Sequence, residues 1–371
     1  MTRLLLVIPG LIWSAPQTGR PAQDLPLAGL SRLLGDGRRR IEASARPEDS
    51  LLRLFGFDGE TPPLAALRRL GEDGGSRSLS LGEHLTNRHC EEGFPGPDAG
   101  THWLCADPVN LSLTRECLFL GDFADGEVEA SEAAALIAAL NRDFPDLGQF
   151  SAATPTRWYL RLDRPTTVRF SPLHDVCGRP VQDFLPEGGE ASARHWRHIL
   201  NEIQIALHNH PANEARKATG RRTINSLWFW GASGQPAAAP RAFCSAIQTL
   251  DPVARGLARA AGIEPSAPDV DAALRTDTLV VLDPLAAPAR RLELAFWRTA
   301  LAALENDWFA PLAKALDAGR PLRLELFAPG DRYSLSLIIS HRSHWRFWRK
   351  PFPLDALLAA NAPSRPARQT P

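Results

Sequence analysis

The scarcities in this sequence each remove a class of function. Across 371 residues, 42 basic and 42 acidic side chains cancel, so no overall field gathers nucleic acid or an anionic membrane surface. Five cysteines, Cys90, Cys105, Cys117, Cys177 and Cys244, contain no Cys-x-x-Cys pair. An odd, scattered set argues against a disulfide scaffold or a zinc ribbon and fits a reducing cytosol, so a cytoplasmic location is expected. No apolar run approaches the roughly 20 residues of a membrane span. The run Leu4 to Trp13 is too short and too poorly flanked for a secretory segment, and reads as a first buried strand, Leu4 to Ile8, turning at Pro9-Gly10. There is no P-loop, no strand-linked G-x-G-x-x-G and no G-x-S-x-G elbow, which removes the commonest nucleotide-binding and serine-hydrolase readings.

What remains is an ordinary globular composition, 44% apolar and 23% charged, in a chain long enough for one large core and a smaller one. Short amphipathic helices are expected over Leu25–Leu34 and Asp49–Phe55. Thr61-Pro62 would cap a further helix through Leu70, and an irregular connection rich in Gly, Ser and charge follows to Gly100. From His102 the pattern predicts a ββαββ unit. Its strands cover His102–Val109, Cys117–Phe123, Gly148–Ala152 and Arg157–Leu162, around a helix Glu132–Phe144 capped by Ser131. Beyond it, helix and strand alternate: a helix Glu190–Asn209, strands Thr223–Trp230 and Ala242–Ile247, and a helix opening at Asp251-Pro252. A strand Thr278–Asp283, a long helix Arg290–Ala318 and strands Leu322–Phe327 and Arg332–Ile339 complete the series. Such alternation predicts an α/β fold with a mostly parallel sheet flanked by helices, interrupted by a small α+β domain. The expected division is a core of residues 1–100 and 186–360, an inserted domain over 101–185 and a disordered tail over 361–371.

The most informative stretch runs from His210 to Gly231, where a helix end passes through a basic loop into the apolar strand Ile224–Trp230. His210, Asn213, Arg216, Asn225 and Trp228 lie where such a strand opens onto a ligand crevice, and Arg and His are natural partners for phosphate or carboxylate. The same side chains could instead tie the loop to the strand, with the cations capping the helix end. This stretch resembles the "HPxNxxR…N-x-[IL]-W-x-W-G" segment of the archaeal-type cofactor-independent phosphoglycerate mutases of the alkaline phosphatase superfamily. Cys105-Ala-Asp-Pro-Val-Asn-Leu, Gly121-Asp-Phe-Ala-Asp-Gly-Glu-Val, Ser131-Glu-Ala-Ala-Ala-Leu-Ile and Arg157-Trp-Tyr-Leu look like blocks of the same family's inserted domain. They look closer still to its bacterial mutase-like branch, labelled "regulator of pathogenicity factors E". The resemblance implies an alkaline-phosphatase-like core with an inserted domain.

It also implies two divalent metals, manganese for example, flanking a Ser or Thr nucleophile, and here the chain departs from the pattern. The first strand of the family ends in a metal-binding Asp, whereas this one ends Val7-Ile8-Pro9-Gly10. The family's Asp-x-x-x-His after a late strand becomes Asp283 with Ala287 four residues on, and its Asp-His dipeptide is absent. No metal ligand set is therefore expected. The expected function is a mutase-like protein without catalysis, regulatory or ligand-sensing. The alternative keeps a metal-dependent mutase or phosphatase with ligands recruited elsewhere, from Asp98, His102, His195 or Asp283. A small anionic metabolite and a protein are the candidate partners; nucleic acid and membranes are not expected. Two other constellations have bland readings beside the functional ones. His195, His198 and Glu202 share a polar helix face that could clip a metal or simply be solvated. His341–Lys350 interleaves aromatics with cations and could grip a single strand or pack on the core.

Overall fold

A computed structural model describes residues 1–15, 18–57, 62–72, 102–114, 117–232, 240–340 and 350–361. Asp98, most of the connection before Gly100, the capping Thr61, the His341–Arg349 segment and residues 362–371 lie outside them. The described residues divide into two compact units, 1–51 with 242–251 and 263–371, and 52–241 with 252–262.

The first unit holds a six-stranded sheet. Its strands are β1 (Thr2–Val7), β2 (Arg38–Ala43), β8 (Ala246–Thr249), β9 (Thr278–Val281), β10 (Leu322–Ala328) and β11 (Tyr333–Ile339), in the order β2-β11-β10-β1-β9-β8. β10, β1, β9 and β8 run parallel, while β11 and β2 add an antiparallel edge. β1 sits in the middle because its apolar residues are wanted by a core: Leu4 and Leu6 point into a cluster with Leu324, Leu326, Leu335 and Leu337. Helices Ala28–Asp36, Leu294–Leu304, Ala310–Asp317 and Leu354–Ala360 contribute to that cluster. The buried Glu305 carboxylate accepts from the Gly29 and Leu30 N–H groups at 2.5 and 3.0 Å, closing the amino end of the first of these helices from across the chain.

The second unit is built on an antiparallel sheet of β3 (His102–Leu113), β4 (Leu118–Gly121), β5 (Gln149–Thr154), β6 (Arg157–Leu162) and β7 (Ser226–Trp230). β3 is the hub, paired with β4, β6 and β7. Leu104, Ala106, Trp158, Leu160, Leu227 and Phe229 alternate onto one face, under the helices Ala130–Asp143 and Glu190–His208. The opposite face carries Trp103, Cys105, Asp107, Arg157, Tyr159 and Trp230. The helix Leu64–Gly71 packs tightly on Pro252–Ala260, where a Cβ on Gly71 would lie 1.7 Å from the Pro252 carbonyl oxygen. Only glycine allows that approach.

The architecture is the expected α/β class, a parallel-rich sheet flanked by helices together with a second, antiparallel sheet. Several local expectations are corrected. The strand over Thr223–Trp230 is expected in the same sheet as β1; β7 instead pairs antiparallel with β3, Cys105 opposite Trp230. All five of its residues are buried, so its pattern names a central strand without saying in which sheet. The basic loop after the helix Glu190–His208 contains a helix of its own, Pro211–Ala218. The cap of the helix Ala130–Asp143 is Glu129, in a reciprocal capping box with Glu132, rather than Ser131. The long helix expected over Arg290–Ala318 is broken by Leu292 at φ 58° and by a π-helical turn, Glu305–Phe309. Hydrophobic spacing survives both interruptions, which is why the pattern reads through them.

Candidate functional site

Open parallel sheets bind ligands beyond the carboxyl ends of their strands, and the mutase-type metals would belong there. In the first unit the exits of β1 and β9 are largely apolar, with Asp283 after β9 and Asp251 after β8 as carboxylates of this edge. β1 leads into Ile8, Leu11 and Ile12, and β9 into Leu282 and Leu285, all buried. Trp13 and Trp297 pack at 5.4 Å between ring centroids, and the Trp297 indole N–H donates to the Gly10 carbonyl at 2.7 Å. Gly10 has φ +80°, and a Cβ there would meet the Leu285 carbonyl oxygen at 2.4 Å. The exit loops of β1 and β9 thus touch backbone to backbone, leaving no space for a cation between them.

The donor set agrees with this geometry. Pro9 offers no side-chain ligand, Ala287 stands four residues after Asp283, and the described residues hold no group of three or more His, Cys, Asp or Glu suited to a metal. Of the alternative ligands, Asp283 belongs to the first unit, and His102 and His195 to the second. His195 is exposed on a cleft of about 480 Å³ lined also by Asp146, Asp163, Arg164, Thr166 and Trp196. On the same helix His198 stands 4.0 Å from Glu202, with both side chains largely exposed. These residues do not fit the two-metal centre that the resemblance implies.

The five residues expected to face a ligand all lie in the second unit, and each spends polar atoms on the chain itself. His210 is the cap of the helix Pro211–Ala218, its Nδ1 accepting from the Ala212 N–H at 3.2 Å. Burial, followed by the nearby Arg142, pulls the His210 pKa below its ordinary value, which disfavours the imidazolium. Asn213, fully buried, donates to the Leu207 and Ile224 carbonyls at 2.7 and 2.8 Å and accepts from the Ile224 N–H at 2.8 Å. Asn225 pairs with both backbone groups of Leu111 in β3, at 2.7 and 2.8 Å. The Trp228 indole donates to the Ser171 carbonyl.

Arg216 is 1% exposed and bonds Glu132 at 2.6 Å, the Arg222 carbonyl at 2.6 Å and the Glu127 carbonyl at 3.0 Å. Arg221 and Arg222, consecutive cations before β7, join the same network. Arg221 reaches Glu129 and Glu132, and Arg222 reaches Glu127 while lying over the Phe123 ring. The arrangement is a clasp that fastens the segment before β7 to the helix Ala130–Asp143.

Sequence reading missed a second charged cluster, on the opposite face of the antiparallel sheet. Arg68, from the helix Leu64–Gly71, meets Asp107 of β3 in a bidentate pair at 2.6 and 2.6 Å, both 4% or less exposed. Asp107 also accepts from the Trp158 N–H and the Trp230 indole, at 3.2 and 2.8 Å. Glu72 takes a bidentate pair from Arg157 and a 2.7 Å bond from the Tyr159 hydroxyl. Burial works against the Arg68 charge, but the Asp107 carboxylate more than compensates, and its pKa stands well above the ordinary arginine value. The only advance sign was Asp107 itself, an acid inside a buried β3 pattern.

Both tyrosines of the chain, Tyr159 and Tyr333, have their pKa values pushed up, in each case chiefly by burial. An unfolded tyrosine ionises near pH 10. Between that pH and the raised folded values the unfolded chain binds fewer protons, so the stability these phenols hold below about pH 10 is lost as pH rises. Tyrosinate absorbance is expected to appear together with the loss of circular dichroism in an alkaline titration. Ionisation of either phenol in a chain with native dichroism would contradict the burial described.

By architecture and strand order the chain is a parallel-rich α/β protein carrying an antiparallel second unit. It aligns with the PH0037 protein from Pyrococcus horikoshii at a TM-score of 0.50 and 12% identity, covering 91% of this chain and 87% of that one, a likeness of fold. In sequence, residues 108–213 match the family described as 2,3-bisphosphoglycerate-independent phosphoglycerate mutase. A mutase of that name from Methanothermobacter thermautotrophicus is 35% identical over 121 residues, 32% of this chain and 30% of the relative. One from Methanothrix thermoacetophila is 28% identical over 225 residues, 55% of each. The matches span about a third to about half the length of these relatives. The chain is thus similar to the archaeal-type cofactor-independent phosphoglycerate mutases, and the matched block lies within the second unit. No helix among the described residues is long and apolar enough to cross a membrane.

Proposed function

We propose that this chain is a phosphoglycerate-mutase-like protein that has given up the two-metal centre and works as a non-catalytic regulatory or ligand-sensing protein. One observation carries the reading. Where the strands of the parallel sheet would present metal ligands, they present Ile8, Pro9, Leu11, Leu282 and Leu285, with Gly10 against the Leu285 backbone. Phosphoryl transfer in a two-metal site needs hard oxygen and imidazole ligands to clamp the attacking and leaving oxygens. The exits of β1 and β9 supply Asp283 alone, too few ligands for such a clamp. The family model matches residues 108–213, inside the second unit, so a mutase-like sequence pattern persists there. In this reading the ligand is a small anionic metabolite, no metal cofactor is required, and the response is passed to a protein partner.

The test is a titration of chelator-treated protein with manganese, cobalt and zinc, followed by calorimetry and elemental analysis. The proposal expects no stoichiometric uptake. One or two ions bound per chain would contradict it and return the protein to metal-dependent chemistry.

A further inference from the structure

Among the described residues, the Arg68–Asp107 cluster of the second unit holds more cations than carboxylates. The charge of Arg68 is answered by Asp107, and that of Arg157 by Glu72. Arg259 donates at 2.7 Å to the Leu70 carbonyl, at the carboxyl end of the helix Leu64–Gly71, where a cation is favoured. Arg69, on the same helix, has no carboxylate in ion-pair range among the described residues. Its Nη1 reaches the Ser151 hydroxyl of β5 at 3.5 Å, and its Nε is buried without a hydrogen-bond partner. The guanidinium lies 4.2 Å from the centre of the Trp103 ring and 5.4 Å from that of Tyr159, so an aromatic wall fixes its plane. The Trp103 indole N–H is likewise buried and without a partner.

Buried polar groups are normally satisfied, and each exception asks for an explanation. The Arg68 Nε is a further unsatisfied donor of the cluster, 4.0 Å from Glu72; those of Arg69 and Trp103 lie on stacked side chains with a hydroxyl beside Arg69. Water could accept from them but would leave the charge uncompensated; an acceptor-only species with negative charge answers both needs. Burial also pulls the Arg69 pKa below the ordinary arginine value, more than Tyr159 and Glu72 raise it, and Arg161 adds to the pull.

We propose that Arg69, Trp103 and Ser151 form an oxyanion subsite in the second unit, taking inorganic phosphate or the carboxylate of a small acid. The subsite deepens the ligand-sensing reading and rests on it, but it is distinct from the His210–Trp228 clasp. Its formation requires no metal.

The experiment titrates the full chain, kept free of divalent metal, with inorganic phosphate and separately with succinate. Ionic strength is held constant, and calorimetry and thermal unfolding are the readouts. Saturable one-site binding of at least one of the two is expected. Arg69→Met should weaken it about tenfold or more, the loss of a charge-assisted hydrogen bond. Trp103→Phe keeps the aromatic wall but removes the indole N–H, and should weaken binding too, which covers the case in which Arg69→Met fails to fold. Tighter binding of phosphate than succinate identifies a phosphorylated ligand, and the reverse a carboxylic acid. No saturable binding, or affinity unchanged in the folded variants, overturns the subsite. Stoichiometric metal uptake in the separate titration would instead overturn the non-catalytic reading, so the two failures are distinguishable.

Discussion

Asp107→Leu is expected to destabilise the protein by about 3–5 kcal/mol, the usual cost of leaving one member of a buried ion pair without the other. Asp107 and Arg68 are 3% and 4% exposed, so water cannot take over the lost bonds. The substitution also strips the Trp158 N–H and the Trp230 indole of their acceptor. Adding Arg68→Met should restore much of the loss. Apolar groups of similar volume in place of a buried pair are often neutral or stabilising, because the desolvation of two charges no longer has to be offset. Urea unfolding of the parent, both single variants and the double variant measures the coupling directly. A single-variant cost below about 1 kcal/mol, the range of surface pairs, would mean that the cluster is solvated.

Arg216→Met is expected to cost about 2–4 kcal/mol, the loss of several charge-assisted bonds in a buried setting. Glu132 would keep Arg221 at 2.7 Å and the Glu129 N–H at 3.0 Å, so it would not be stranded. The Arg222 and Glu127 carbonyls would each lose a donor. The direction of the result separates two roles for this residue. A clasp loses stability when cut, whereas a ligand-binding arginine held ready for an anion is commonly neutral or unfavourable to the free protein, so its removal would leave unfolding unchanged or improved. Urea unfolding in the absence of phosphate distinguishes them, and an unchanged midpoint would overturn the clasp.

The sequence carried the fold class well and the site poorly, for physical reasons that particular residues make plain. β1 and β9 are short apolar runs buried on both faces, and such runs announce central parallel strands. β2 is the opposite case. Arg38–Ala43 is exposed at every position and becomes a strand only because β11 offers its edge, a partnership invisible to local pattern. The helix Pro211–Ala218 hid because it follows the preceding helix after two residues and is only eight residues long. At the site, the family-like spacing singled out His210, Asn213, Arg216, Asn225 and Trp228 as a group, and in the structure each bonds a different part of the second unit. Their roles depend on partners far along the chain: Arg216 on Glu132, 84 residues away, and Arg68 on Asp107, 39 residues away. Periodicity reports which face a residue is on and not what waits there. The packing at the ends of β1 and β9 was half legible, since Pro9 and Ala287 could be read directly, but the contact of Gly10 with Leu285 required the fold.

The most direct test of the account is turnover. Purified protein, supplied in turn with manganese, cobalt and zinc, is incubated with 3-phosphoglycerate, and formation of 2-phosphoglycerate is followed by coupling to enolase. The largely apolar exits of β1 and β9 predict no conversion above the protein-free control with any of the three metals. Conversion that is abolished by a chelator and restored by adding metal back would contradict it.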